Sequence, residues 1–151
     1  MRALIQRVSS ASVVTEGKEA HSIAKGSVVF LGVGPADTEA EAERLWNKIY
    51  KLRIFEDGQG KTNCSLGDIG GSVLLVSQFT LYASCRKGNR PSFTGAAKPD
   101  EANRLYEYFA GLIRASGVSV QCGWFGAAMD VSLVNNGPFT IWLDTDEMAR
   151  K

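Results

Sequence analysis

Ser72-Val73-Leu74-Leu75-Val76-Ser77-Gln78-Phe79-Thr80-Leu81-Tyr82 decides how this chain is read. Its first half is an apolar run of the kind that strands buried on both faces require. Its second half puts serine, glutamine and threonine where a core would continue. Read as one strand over 72–82, the alternation places Ser77, Phe79 and Leu81 on one face and Gln78 and Thr80 on the other. A buried polar group needs a partner. These side chains therefore either satisfy nearby backbone or line a cavity that holds something polar. Amides at a strand end that enters such a cavity can also receive a developing oxyanion. The residues alone leave both readings open.

Working upstream, residues 27–33 (SVVFLGV) form a second unbroken apolar run. Residues 3–8, 12–15 and 19–23 read as shorter strands, with turn chemistry at Glu16-Gly17-Lys18. Between the two long runs lies an amphipathic helix. Thr38 and Glu41 have capping-box spacing, and Ala42, Leu45, Trp46, Ile49 and Leu52 share one stripe. Ile54-Phe55 and residues 61–66 flank Asp57-Gly58-Gln59-Gly60, a hairpin signal. Downstream, a loop over 83–98 precedes a second helix, with Pro99 near its start and Ser116-Gly117 at its end. Strands are expected over 118–122, 129–134 and 139–143. The fold class is therefore mixed α/β with two amphipathic helices. The order of elements does not separate an open sheet from one curled toward a barrel.

The 151 residues, expected to make one domain over 1–151, are long enough to bury a core without disulfide staples. Cys64, Cys85 and Cys122 are odd in number and widely spaced, which suits a reducing compartment and argues against a zinc site. His21 is the sole histidine, so a multi-histidine metal centre is excluded. Any histidine-dependent nucleophile would have to use that residue. The start of the chain lacks the apolar run of a secretory signal, and nothing is long enough to span a membrane. A cytoplasmic protein with no cofactor and no membrane partner is expected.

Net charge is only +1, from 17 Lys+Arg and 16 Asp+Glu, but it is unevenly spread. No acidic residue occurs from Ile69 through Pro99, where Arg86, Lys87, Arg90 and Lys98 cluster. Arg86-Lys87-Gly88-Asn89-Arg90-Pro91-Ser92-Phe93 can set cations, amides and an aromatic beside phosphate, without reading sequence. A merely solubilising loop has the same composition. A last anomaly is Asn135-Asn136-Gly137-Pro138-Phe139-Thr140. Asn-Gly predicts a type I′ hairpin turn between two strands, and Pro138 complicates it by removing a donor. A cis Gly-Pro bond would aim both flanking carbonyls the same way, as a stiff wall of acceptors.

With SQFTL at 77–81 and N-x-G-P-x-T at 135–140 both on view, the chain resembles the D-aminoacyl-tRNA deacylases almost end to end, from ALIQRV at 3–8 to the last strand. Arg53-Ile54-Phe55, Arg90-Pro91-Ser92-Phe93 and Val131-Ser132-Leu133-Val134 add to the likeness. The resemblance implies a curled sheet and a homodimer with two shared active sites, each acting on the aminoacylated 3′ end of tRNA and not on DNA. Ser77, Gln78, Phe79 and Thr80 would floor the catalytic pocket. A cis Gly137-Pro138 pair would reach into it from the partner and reject L-amino acids by occupying their side-chain space. Arg7 would brace that pair, Phe125 and Met129 would wall the pocket, and Asn135 and Thr140 would support it. Arg86, Lys87 and Arg90 would hold tRNA. Glycine, lacking a side chain, would pass the filter, which brings glycine mischarged on tRNA-Ala within reach. With one distant histidine, the ribose 2′-hydroxyl and backbone amides are the expected catalysts rather than Thr80 as nucleophile. Animal relatives with a trans proline bond and an altered first motif are a poorer match. Two other readings are an RNA-binding dimer without catalysis and a threonine-dependent esterase.

Overall fold

In the computed structural model, which describes residues 1–148, two parallel crossovers set the architecture. Strand β1 (Arg2–Val14) runs antiparallel to β2 (His21–Ile23) and β3 (Gly26–Gly32) on one edge. The chain then crosses through α1 (Glu39–Lys51) and a hairpin of β4 (Phe55–Glu56) and β5 (Thr62–Cys64). It returns as β6 (Ser72–Ser77), parallel to β3. A 3₁₀ turn, η1 (Phe79–Tyr82), leads into the 83–98 loop and α2 (Pro99–Ala115). Strand β7 (Val120–Cys122) pairs parallel with β6, and β8 (Asp130–Asp144) lies along the other edge of β1.

Both crossover helices pack on one face because each is apolar on one stripe only. Helix α1 buries Ala42, Leu45, Trp46 and Ile49; α2 buries Leu105, Tyr106, Phe109 and Ile113. The expected capping box is in place: the Thr38 amide donates to the Glu41 carboxylate at 2.7 Å, and the Ala40 amide donates to the Thr38 hydroxyl at 3.3 Å. The sheet alternates between two cores. Val73 and Leu75 of β6 face the helices, while Leu74 and Val76 face inward with Val8, Val13, Ile23 and Val28. That second core exists because the sheet curls. His21 on β2 closes the curl, its Nδ1 lying 2.6 Å from the Cys122 carbonyl on β7 and its ring stacked on Trp124 at 4.4 Å. The architecture is thus a mixed sheet curled nearly into a barrel, backed by two helices. No described helix is long and apolar enough to cross a membrane.

Three expectations need correction. The strands read over 3–8 and 12–15 are one continuous β1, since Ser9 and Ser10 are tolerated on an exposed stretch of strand. The strand read over 72–82 stops at Ser77. There the Gln78 amide donates to the Leu31 carbonyl at 2.8 Å, and the chain winds into η1, which removes the predicted alternation of Ser77, Phe79 and Leu81. Gly32 makes room for that turn: a Cβ on it would sit 3.1 Å from the Gln78 carbonyl oxygen and 3.2 Å from Leu81 Cβ. The strands read over 129–134 and 139–143 also merge into one strand, β8, which begins at Asp130, with no I′ turn between them. Val8 pairs with Asn135 and Gln6 with Thr140, so residues 136–139 bulge out opposite Arg7. Proline is compatible there because the bulge leaves the ladder, where no donor is needed.

Candidate active site

Strands β3, β6 and β7 are parallel, so their carboxyl ends lie along one rim, where α/β sheets commonly form crevices. A cavity of about 590 Å³ opens there. Its floor is Val76, Ser77, Gln78 and Phe79, its walls include Phe125 and Met129, and Phe93 stands at its edge. Met129 is seated by its sulfur, which accepts from the Trp124 amide at 3.3 Å, and Phe125 packs on Tyr106 at 5.9 Å between ring centroids.

Turn η1 carries the polar groups. None of its four residues is buried. The amides of Phe79 and Thr80 open its first turn, where no preceding carbonyl is in position, and neither has a backbone acceptor among the described residues. Thr80 is exposed and is not part of the cavity lining; its hydroxyl accepts from Gln78 Nε2. The ring of Phe79, 54% exposed, meets Phe93 edge to face at 5.0 Å. Phe93 is the residue that loop composition could not assign. Its signal was an aromatic closing a cationic loop, and it takes its place only when Ser84 and Ser92 pair, with N–H···O distances of 2.8 and 2.9 Å. That two-residue bridge pins the neck of the loop. Arg86, Lys87 and Arg90 beyond it are exposed, and none of them is in an ion pair among the described residues.

The second motif is built elsewhere. In the bulge, Gly137-Pro138 is a cis peptide bond and both residues are exposed. Asn135 and Thr140 staple its neck rather than the cavity. Asn135 Nδ2 donates to Thr140 Oγ1 at 2.9 Å, and the Phe139 amide donates to Asn135 Oδ1 at 3.0 Å. Arg7, only 7% exposed, supports it from below. Its Nε donates to the Asn136 carbonyl at 2.8 Å, its Nη1 to the Ile54 carbonyl at 2.7 Å, and its guanidinium lies 4.9 Å from the Phe139 ring centre. Gly137 has φ +138°, and a Cβ there would stand 3.0 Å from Arg7 Nη2. Ser77 pairs with Leu31 and Leu31 with Ala3, whereas the bulge faces Arg7. The bulge is thus about 13 Å further along the strands, and on the far edge of β1. The structure brings Ser77, Gln78, Phe79, Phe125 and Met129 together and keeps Gly137, Pro138, Arg7, Asn135 and Thr140 apart from them in the same chain.

Electrostatically the cavity has little to drive acid–base chemistry. His21 is on β2, stacked on Trp124, and is not part of the lining. The Tyr106 hydroxyl, behind Phe125, donates to the Leu75 carbonyl at 2.9 Å; burial raises its pKa beyond the ordinary phenol range. Burial likewise raises the Cys122 thiol, holding it neutral. What the cavity offers is backbone donors, a hydroxyl and apolar walls.

A family model described as D-Tyr-tRNA(Tyr) deacylase matches residues 4–144. A D-aminoacyl-tRNA deacylase of Thermomicrobium roseum is 57% identical over 148 residues, covering 98% of this chain and 96% of that protein. One from Desulfatibacillum aliphaticivorans is 54% identical over 145 residues, covering 96% and 99%. Among solved structures, a c-Myc DNA Unwinding Element Binding Protein superposes with TM-score 0.89 at 39% identity, over 95% of this chain and 98% of that one. A probable eukaryotic D-amino acid tRNA deacylase, 18% identical, shares the fold with TM-score 0.81 over 94% and 97%.

Proposed function

The chain belongs to the D-Tyr-tRNA(Tyr) deacylase family, and from that premise we propose that it hydrolyses the ester joining a D-amino acid to the terminal ribose of tRNA. The observation that carries the reading is a pair of unpaired amides, Phe79 on the cavity floor and Thr80 next to it in the turn, at the open end of a parallel sheet. Water adds to the ester carbonyl, the oxygen becomes an oxyanion, and those amides receive it; collapse breaks the C–O bond and returns a proton to the ribose oxygen. One such donor is typically worth 10²- to 10³-fold in rate. No imidazole or carboxylate lines the cavity to activate the water. The neighbouring 2′-hydroxyl of the substrate takes that task, and Thr80 Oγ1, already engaged by Gln78, is not the nucleophile.

Chirality is decided by the bulge. It is exposed and distant from its own cavity, so it serves the cavity of a second copy in a homodimer. The Gly137 and Pro138 backbone fills the space an L side chain would need, and its carbonyls accept from the α-ammonium. Exclusion of the wrong hand, more than attraction of the right one, provides the selectivity. A D side chain points outward, so its identity matters little, and glycine, including glycine mischarged on tRNA-Ala, passes. Arg86, Lys87 and Arg90 hold phosphates of the acceptor end.

The test is hydrolysis of D-Tyr-tRNA and L-Tyr-tRNA side by side, with glycyl-tRNA as a third substrate. Rapid release from the D-ester, none from the L-ester, and loss of D-activity when the terminal ribose lacks its 2′-hydroxyl are expected. Equal rates on the two hands, or no D-activity, overturn the reading.

A further inference from the structure

We infer that Arg2 is a positioning residue for the catalytic turn, aiming the Phe79 and Thr80 amides through a clamp built from Tyr82, Trp142 and Asp144. The inference rests on the oxyanion reading above. Turn η1 has no fully buried residue. Leu81 and Tyr82 pack half-buried beside Gly32 and Gly34, and the Tyr82 hydroxyl donates to Asp37 Oδ2 at 3.4 Å. Side chains thus help to seat the turn but leave its C-terminal carbonyls unsatisfied. A short 3₁₀ turn has poor internal hydrogen-bond geometry and runs out of donors at its C-terminal carbonyls. Something outside the turn must therefore hold it.

Arg2 does so from the first residue of β1. Its Nη1 donates to the Leu81 carbonyl, inside the turn, at 3.0 Å. Its Nε donates to Asp144 Oδ2 at 2.8 Å, and Asp144 is 6% exposed, so the fork has a fixed base. Asp144 is itself held by the Asp146 amide, which donates to its other oxygen at 3.0 Å. The guanidinium lies 4.3 Å from the Tyr82 ring centre, the last residue of the turn, and 5.7 Å from that of Trp142 on β8. One planar cation thus joins the turn by a hydrogen bond and a ring face, and joins the sheet by an ion pair and a second ring. A lysine could make the ion pair but not the two-point fork. The arrangement also explains an otherwise unassigned feature: Trp142, a large apolar side chain, is 43% exposed where a polar residue would be expected on the outer face of β8.

If Arg2 aims the turn, its removal must disturb geometry that matters only when the oxyanion forms. The test compares Arg2→Met, which keeps the stem, and Arg2→Lys, which keeps the charge, with the parent in steady-state hydrolysis of D-Tyr-tRNA and in amide hydrogen exchange. The expected result for Arg2→Met is a kcat about tenfold or more lower with KM within twofold, and exchange at Leu81 and Ala83 about tenfold faster while α1 and α2 amides keep their rates. Arg2→Lys restores neither the parent kcat nor the parent exchange rates at Leu81 and Ala83. Unchanged exchange at η1, a loss carried by KM, or full recovery by lysine overturns the clamp. Should the parent itself leave the D-ester intact, the deacylase reading fails, and the exchange data still decide whether Arg2 orders the turn.

Discussion

Arg7→Met is the substitution whose consequence follows most directly from geometry. The guanidinium is nearly sealed, pairs with no carboxylate among the described residues, and makes two carbonyl contacts, to Asn136 and Ile54. Hydrogen bonds from a charged donor are worth about 1.5–3 kcal/mol each, and the face of Phe139 adds roughly 0.5–2 kcal/mol. Opposing them, a buried cation carries a desolvation cost of several kcal/mol that methionine removes. Methionine also fills the volume of the stem, so no large cavity forms. The balance is a net loss near 2 kcal/mol, or about 4–8 °C in Tm for a domain of this size. The bulge loses its aim at the same time. The expected readout is a rise of about tenfold or more in L-Tyr-tRNA hydrolysis relative to D-Tyr-tRNA, alongside the lower Tm. An unchanged L/D ratio refutes the claim that Arg7 holds the chiral element in place, whatever Tm does. An unchanged Tm refutes the hydrogen-bond accounting.

Gly137→Ala places a methyl 3.0 Å from Arg7 Nη2 and from the Phe139 amide nitrogen, at a φ of +138° that non-glycine residues avoid. It should erode L-rejection with Tm lowered by a few degrees; a parent-like L/D ratio counts against the bulge as filter. Replacing Arg86, Lys87 and Arg90 together by Ala should weaken tRNA binding and flatten the log K against log salt slope by about 2, at about 0.7 per single-strand phosphate contact. The L/D ratio should stay as in the parent, and an unaltered slope removes the loop from the binding surface. Thr80→Ala should lower kcat only modestly; complete loss with intact binding makes the hydroxyl the nucleophile. Burial raises the pKa of Tyr82 and Tyr106 in the fold. Their neutral forms therefore stabilise the protein fully below the unfolded phenol pKa of about 10, and that contribution drains away as pH climbs past it. Tm should fall from pH 9 to 11, less steeply in Tyr106→Phe, and parallel slopes would refute the assignment.

Much of this was legible before any fold was known, for physical reasons tied to particular residues. Thr38 and Glu41 cap a helix through contacts three residues apart, so local sequence suffices. Unbroken apolar runs at 27–33 and 72–76 became the parallel centre of the sheet because only doubly covered strands can be apolar throughout. The polar interruption at Ser77 and Gln78 points to either a cavity or backbone partners, but the local signal carries the strand through Tyr82, whereas β6 ends at Ser77, where the cavity opens. The reading failed where a long-range contact outvoted a local signal. Asn136-Gly137 has the chemistry of a hairpin turn, but β1 is long enough to pair with both flanks, so the segment became a bulge within one strand. Phe79-Thr80-Leu81 has strand propensity, yet the Gln78 amide is claimed by Leu31 and the chain curls into η1.

Sequence by itself determined the inventory: two amphipathic helices, two unbroken apolar strands, a cation-rich loop without acids, a single histidine, and two polar motifs that local propensity leaves unexplained. Tertiary structure alone decided their relation. It put Ser77, Gln78 and Phe79 at the rim of one cavity with Phe125, Met129 and Phe93, and it set Gly137-Pro138 over Arg7, on the other side of β1. The physical reason is the range of the interactions. Caps, periodicity and turn chemistry act over a few residues, whereas strand register, sheet curl and the reach of a buried arginine join positions more than a hundred residues apart.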